Sequence, residues 1–160
     1  MTKFLILSSK DIVGGAARAA YRLHEAMLLI GADSEMLVQT KYGNSNSVIG
    51  AQSLTAKRLA SGVFLLDQIP LRSYPKRKVA FFSPQWVPEI TALQVARRSP
   101  DIVNLHWVNN GFLRIETLKQ FQAPIIWTMH DMWPFTGGCH YSAGCDRYSE
   151  GCGRCPLLGS

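Results

Sequence analysis

Three groups of residues in this chain have types and spacings that suit chemistry. The first is His130 with Asp131, placed directly after the apolar run PIIWTM. An imidazole donates, accepts or carries a proton near neutral pH, and a strand end would set it where a substrate can reach. His106 ends a similar run, DIVNLH, but Trp107 beside it favours a packing role. The second group is Gly14 and Gly15, between the apolar run KFLILS and the helical pattern that begins at Ala16. A backbone without Cβ atoms allows a phosphate to come close, and a helix N-terminus offers free N–H groups. The full G-x-G-x-x-G fingerprint is absent, because Ala17 and Arg18 follow, so a tight turn that only packs helix on strand competes with the phosphate reading.

The third group is cysteine. Cys139, Cys145, Cys152 and Cys155 lie in the last 22 residues as C-x5-C-x6-C-x2-C, and the first 138 residues have none. A close C-x2-C pair lets two thiolates reach one ion, which favours a structural zinc. The wider gaps are not those of a zinc ribbon, so two disulfides or reduced thiols remain alternatives. His140 adjoins Cys139 and is a substitute ligand. A thioredoxin-like role does not fit, because Cys152 and Cys155 do not lie between a strand and a helix.

These groups need a frame. Lys3–Ser8 is a short continuous apolar run, as in a strand covered on both faces. Ala16–Ile30 has apolar residues at 16, 19, 20, 23, 27 and 30, a helical period, and Gly31 suits the C-terminal cap. Glu35–Gln39 is a second strand, completing a βαβ unit. Lys41–Ser53 is a polar loop, Leu54–Leu66 a helix, and Pro70–Pro88 irregular. Glu89–Arg98 is helical, Asp101–His106 a strand, Gly111–Phe121 a helix with Phe112, Ile115, Leu118 and Phe121 on one side, and Pro124–Met129 a buried strand. Such alternation predicts an α/β fold of Rossmann-like type, a parallel sheet with helices on both faces. Residues 1–135 form this domain, and 136–160 a Cys-rich loop packed on it. Ligands in such sheets bind beyond the carboxyl ends of the strands, so Asp11–Gly15, His106–Gly111 and His130–Thr136 matter most.

Composition narrows the class. With 160 residues, 47% hydrophobic and 18% charged, the chain suits one globular domain rather than a disordered segment. The longest uncharged stretch, Tyr42–Ala56, has 15 residues, many of them polar, too few for a membrane-spanning helix. The apolar run at the N-terminus is too short for a signal peptide, which predicts a cytoplasmic protein. Lys plus Arg is 17 against 11 Asp plus Glu, a net charge of +6, which favours phosphate-bearing partners. Part of the excess, Lys57, Arg58, Arg72, Lys76, Arg77 and Lys78, lies within residues 57–78 among Val63, Phe64, Leu65, Leu66, Ile69 and Leu71. That segment is either an amphipathic surface for an anionic membrane or a solvated face over a core helix. Nucleic acid is not expected as a partner, since no stacking aromatics interleave with basic residues near the cysteines and no RNA-binding signature occurs.

Taken together, KFLILSSKDIVGGAARAAYRLHEAM, DIVNLHWVNNGFL and PIIWTMHDMWPFTGGCHYSAGCDRYSEGCGRCP resemble the N-terminal domain of bacterial glycosyltransferase family 4 enzymes, in the subgroup that makes exopolysaccharide and capsule. The resemblance spans nearly the whole chain, and the HDMWPFTGGCHY run joined to the cysteines is its most specific part. It implies a GT-B enzyme that moves a sugar from a nucleotide-sugar donor to a glycan or glycolipid acceptor with retention and without a catalytic metal. It places Gly14 and Gly15 at the donor phosphates, His130 beside the transferring sugar as the catalytic candidate, and Asp131 on the acceptor side. His106 and Arg18 are the further acceptor-side candidates. Family members continue into a second, donor-binding domain that these 160 residues do not contain, so the chain alone is expected to be inactive, either as a fragment or as a truncated product. A stand-alone module that binds a nucleotide, a glycolipid or a partner without chemistry is the rival expectation.

Overall fold

The computed structural model describes residues Met1–Ser160. Five parallel strands form one sheet in the order β3-β2-β1-β4-β5. They are β1 (Lys3–Lys10), β2 (Asp33–Thr40), β3 (Val48–Ala51), β4 (Ile102–Leu105) and β5 (Ile125–Trp127). The helices are α1 (Gly15–Leu29), α2 (Leu54–Asp67) and the short α3 (Thr91–Ala96). The expected α/β, Rossmann-like architecture is therefore present.

The alternation of side chains along β1 splits the core in two. Leu5 and Leu7 join Leu37, Val103, Leu105, Val95 of α3 and Phe112 on one face. Ile6 joins Met36, Val38, Val48 and Ala20 of α1 on the other. Strands with apolar residues on both faces need cover on both, and α1 and α3 supply it from opposite sides.

Several expected elements differ from those observed. The polar loop expected over Lys41–Ser53 contains β3, and Gly50 packs so tightly on Val38 that an added Cβ would stand 2.5 Å from that residue. On α1 the buried residues are Ala17, Ala20 and His24, not the stripe through Leu23 and Ile30. His24 is buried because both ring nitrogens find hydroxyls, Ser34 Oγ at 2.8 Å and Ser47 Oγ at 2.7 Å. The helix expected over Gly111–Phe121 is a 3-10 segment, Ile115–Gln120. Phe112, Leu118 and Phe121 still pack on the core, but Ile115 is exposed. β5 is not a buried strand: it is the last in the sheet order, and Ile125 and Ile126 are exposed.

The Cys-rich segment packs on the irregular stretch before α3. Ser83 N–H donates to Gly138 O at 2.9 Å, His140 N–H to Phe81 O at 3.1 Å, and Lys78 N–H to Leu157 O at 2.8 Å. Backbone pairing, together with the buried Leu157, orders a loop that has no apolar period of its own.

Candidate functional site

In the order β3-β2-β1-β4-β5, the chain goes outward from β1 in one direction through β2 and then returns to its other side at β4. The crevice beyond the carboxyl ends of β1 and β4 is where such sheets bind ligands. A cleft of about 990 Å³ opens there. Its walls are the end of β1, the start of α1, one side of α2, the segment 80–83 and the residues after β4 and β5. A smaller concavity of about 400 Å³ lies at the opposite end of the strands, and its Glu35 is already held by Lys3 at 3.6 Å and Arg98 at 3.7 Å.

The floor of the cleft is the start of α1. Gly14 has φ of +104°, a conformation that side chains resist, and it turns the chain directly from β1 into the helix. No side chain caps α1 and no acidic residue stands in its first turn. Gly15, Ala16 and Ala17 all line the cleft, and a Cβ on Gly15 would meet nothing within 4 Å. A helix of 15 residues concentrates roughly half a positive charge at this end, and Lys10 on the same wall adds a full one. The result is a floor suited to a phosphate. Arg18 is exposed and lies outside the cleft lining.

His130 lines the same cleft and is exposed. Its Nε2 is 2.9 Å from Nδ1 of His106. His106 is buried, at 4% exposure, so it stands behind His130 rather than in the cleft wall. Its own Nε2 is 2.9 Å from Asn104 Oδ1. Burial, followed by the neighbouring His130, lowers the His106 pKa to about 4. Burial also lowers that of His130, with Asp131 pulling the other way. Both rings are therefore neutral at pH 7.

Asp131 also borders the cleft, but its carboxylate is engaged internally. Oδ2 accepts from Trp107 Nε1 at 2.7 Å and from His140 Nδ1 at 2.5 Å, and Oδ1 accepts from the Trp133 N–H at 3.0 Å. The Asp131 side chain is 8% exposed, so it fixes the wall more than it offers free acceptors. Both ring nitrogens of His140 are engaged in this wall. Its Nε2 is paired with Ser83 Oγ at 2.8 Å, and Trp107 lies against its ring with centroids 5.4 Å apart. Sequence reasoning missed Lys10, Ser83 and His140 as parts of this site. Position after β1 marks Lys10, whereas Ser83 lies in an irregular segment with no signal. Tyr42, Phe81 and Tyr141 add exposed aromatic rings to the lining.

The four cysteines are free thiols that line one cavity of about 20 Å³. Burial, the largest influence, raises the Cys139 thiol pKa, with Cys155 and Cys152 adding to the rise. As arranged, no three His, Cys, Asp or Glu side chains form a group able to hold a metal ion. No helix is long and apolar enough to cross a membrane.

No family model matches the chain, and no solved structure matches it. Over 155 residues it is 24% identical to WcaC of Escherichia coli (strain K12), a protein assigned to colanic acid biosynthesis as a glycosyl transferase. The match covers 91% of this chain and 37% of that relative, so the chain spans little more than a third of the relative's length. This distant likeness extends over nearly all of the chain.

Proposed function

We propose that this chain is the acceptor-side part of a retaining, GT-B type glycosyltransferase of exopolysaccharide synthesis. It would work with a nucleotide-sugar donor and a glycan or glycolipid acceptor. One observation carries the reading: the open N-terminus of α1, Lys10 and His130 converge on a single cleft beyond the carboxyl ends of parallel strands. The first two suit the diphosphate of an activated sugar. A neutral imidazole across the cleft suits the sugar, because it hydrogen-bonds hydroxyls without attracting phosphate. Asp131, His140 and Ser83 form the wall on the acceptor side.

Gly15→Val tests the floor of the cleft. The space around Gly15 is open and its φ is ordinary, so the variant folds, but its side chain occupies the position a phosphate would take. Affinity for nucleoside diphosphates, measured by calorimetry on the complete natural polypeptide, is expected to fall by about tenfold or more, the weight of a lost charge-assisted contact. Unchanged affinity with an unchanged melting temperature removes the glycine turn from the site.

Peripheral membrane contact is the second part of the proposal. On α2, Leu54, Leu59 and Leu65 are exposed beside Arg58, and Lys57 lies over the Tyr42 ring at 4.7 Å. Arg72, Lys76, Arg77 and Lys78 are exposed as well. At about 1 kcal/mol per basic residue near an anionic surface, these six residues would hold the domain reversibly. Co-sedimentation with phosphatidylserine-containing vesicles is expected to fall steeply with added salt. Equal binding to neutral vesicles would assign the contact to another cause.

A further inference from the structure

We infer that Asn104 and His106 are positioning residues, a buried hydrogen-bond relay that fixes which nitrogen of His130 carries its proton. The inference rests on the role proposed above for His130 and adds two residues that touch no ligand.

The relay starts at the sheet. Asn104, in β4, is buried, and its amide nitrogen donates to Ile126 O of β5 at 2.9 Å and to Thr128 Oγ1 at 3.1 Å. A backbone carbonyl only accepts, so it dictates the orientation of the amide: Nδ2 faces Ile126 and Oδ1 faces His106. An amide oxygen also only accepts, so His106 must carry a hydrogen on Nε2 to make its 2.9 Å contact with Asn104.

The next step depends on His106 being neutral. Its pKa of about 4 and its burial both require this near pH 7. A neutral imidazole with a proton on Nε2 has a lone pair on Nδ1. The partner of that lone pair, His130 Nε2 at 2.9 Å, must therefore be the donor. Since His130 is neutral as well, its remaining nitrogen, Nδ1, is left as a hydrogen-bond acceptor on a residue that lines the cleft.

Each bond in the chain Asn104, His106, His130 thus runs in one direction, and the direction originates in the strand pairing of β4 with β5. A free imidazole exchanges its proton between the two nitrogens. Here the exchange would leave either the Ile126 carbonyl facing an amide oxygen or two buried lone pairs facing each other, both costly away from water. The site is consequently preset to receive a hydroxyl donor, with no reorganisation of the imidazole when the ligand arrives. Asp131 is not an alternative source of this control, because its two oxygens are held by Trp107, His140 and the Trp133 N–H.

Two variants of His106 separate the relay from simple packing. Gln supplies an acceptor and donors in one side chain and can keep the direction of the relay, whereas Leu removes both. Long-range proton–nitrogen correlation spectra of the 15N-labelled chain at pH 7.5 report the tautomer of each imidazole. In the parent chain both His106 and His130 are expected as the Nε2–H form. In His106→Leu, His130 is expected to become a mixture of the two tautomers, and in His106→Gln to return to the Nε2–H form. An Nδ1–H form of His130 in the parent overturns the relay, and this arm stands even where a variant fails to fold. Sugar transfer by the complete natural polypeptide is the second arm. His106→Leu is expected to lower kcat by about tenfold or more, with His106→Gln recovering most of it. Normal kcat in His106→Leu, with the tautomer of His130 lost, would show that the site does not use the relay. No transfer by the parent polypeptide from any nucleotide-sugar would instead remove the proposed function, and the spectra alone would then decide the relay.

Discussion

Replacing His130 by Ala is expected to lower sugar transfer by the complete natural polypeptide by roughly a hundredfold or more, on the scale of a lost positioning contact, while leaving the melting temperature near its parent value. The two halves of this expectation come from different observations. His130 is exposed and makes one hydrogen bond, to His106, so its removal opens no cavity and water can reach the lone pair left behind. Yet it lines the same cleft as the helix N-terminus, where the proposed function would put a sugar attached to a diphosphate. A retaining transfer gives little role to a strong base at this position. In the proposed function the neutral ring would instead hold a hydroxyl and shield positive charge that develops on the sugar in the transition state. Loss of activity and melting temperature together would mark His130 as structural, and unchanged turnover would take it out of the site.

His130 was legible in the sequence because its signal is local. An apolar run ending in histidine places that histidine at the carboxyl end of a strand, whatever the rest of the chain does. Gly14 and Gly15 were legible for the same reason, as a turn between a strand and a helix. The role of His106 was not, because it depends on a neighbour in the next strand. Its packing character was visible from Trp107, but the contact with His130 exists only once β4 and β5 pair through Val103 with Ile125, Asn104 with Ile126 and Leu105 with Trp127. The internal contacts of Asp131 are likewise invisible in the sequence, because Trp107, His140 and the Trp133 N–H that hold its oxygens come together only in the fold.

In the fold, the strands with apolar runs are legible in the sequence, whereas β3 is not. β3 has the sequence VIGA inside a polar stretch, and it pairs through its backbone with β2, where Gly50 permits close approach to Val38. The buried face of α1 does not follow residue type, since it carries Ala17, Ala20 and His24. His24 is polar by type, but two serine hydroxyls pair with both of its ring nitrogens, whereas Leu23 is 41% exposed. The cysteine spacing suggested a metal because four thiolates in a loop without apolar periodicity need some ordering agent. In the structure, pairing of that loop with residues 78–83 contributes order.

The same buried histidines make a second large effect expected, a loss of stability in mild acid. In the folded chain the pKa of His106 is about 4, against roughly 6.5 for an unperturbed histidine. Between these values the unfolded chain binds a proton that the folded chain refuses, so stability rises with pH across this window. It is fully present above about pH 6.5 and is lost as pH falls toward 4, by about 3 kcal/mol for His106 alone. His24, whose pKa burial also lowers, acts in the same direction despite the nearby Glu25. The groups facing His106 do not reverse the sign, since Asn104 does not titrate and His130 would add a like charge. Asp67 opposes it: burial raises that carboxyl, so the folded state retains its proton and gains relative stability as pH falls. His130, whose pKa burial also lowers, adds to the same side, and three histidines against one carboxyl leave a net loss. Urea unfolding of the parent chain and of His106→Gln at pH 7 and pH 4 measures it. The parent is expected to lose more than the variant by about 3 kcal/mol, because glutamine has no proton to refuse. Equal losses in the two chains would show that His106 titrates alike in the folded and unfolded states, and with it would fall the neutral, directional relay that places an acceptor in the cleft.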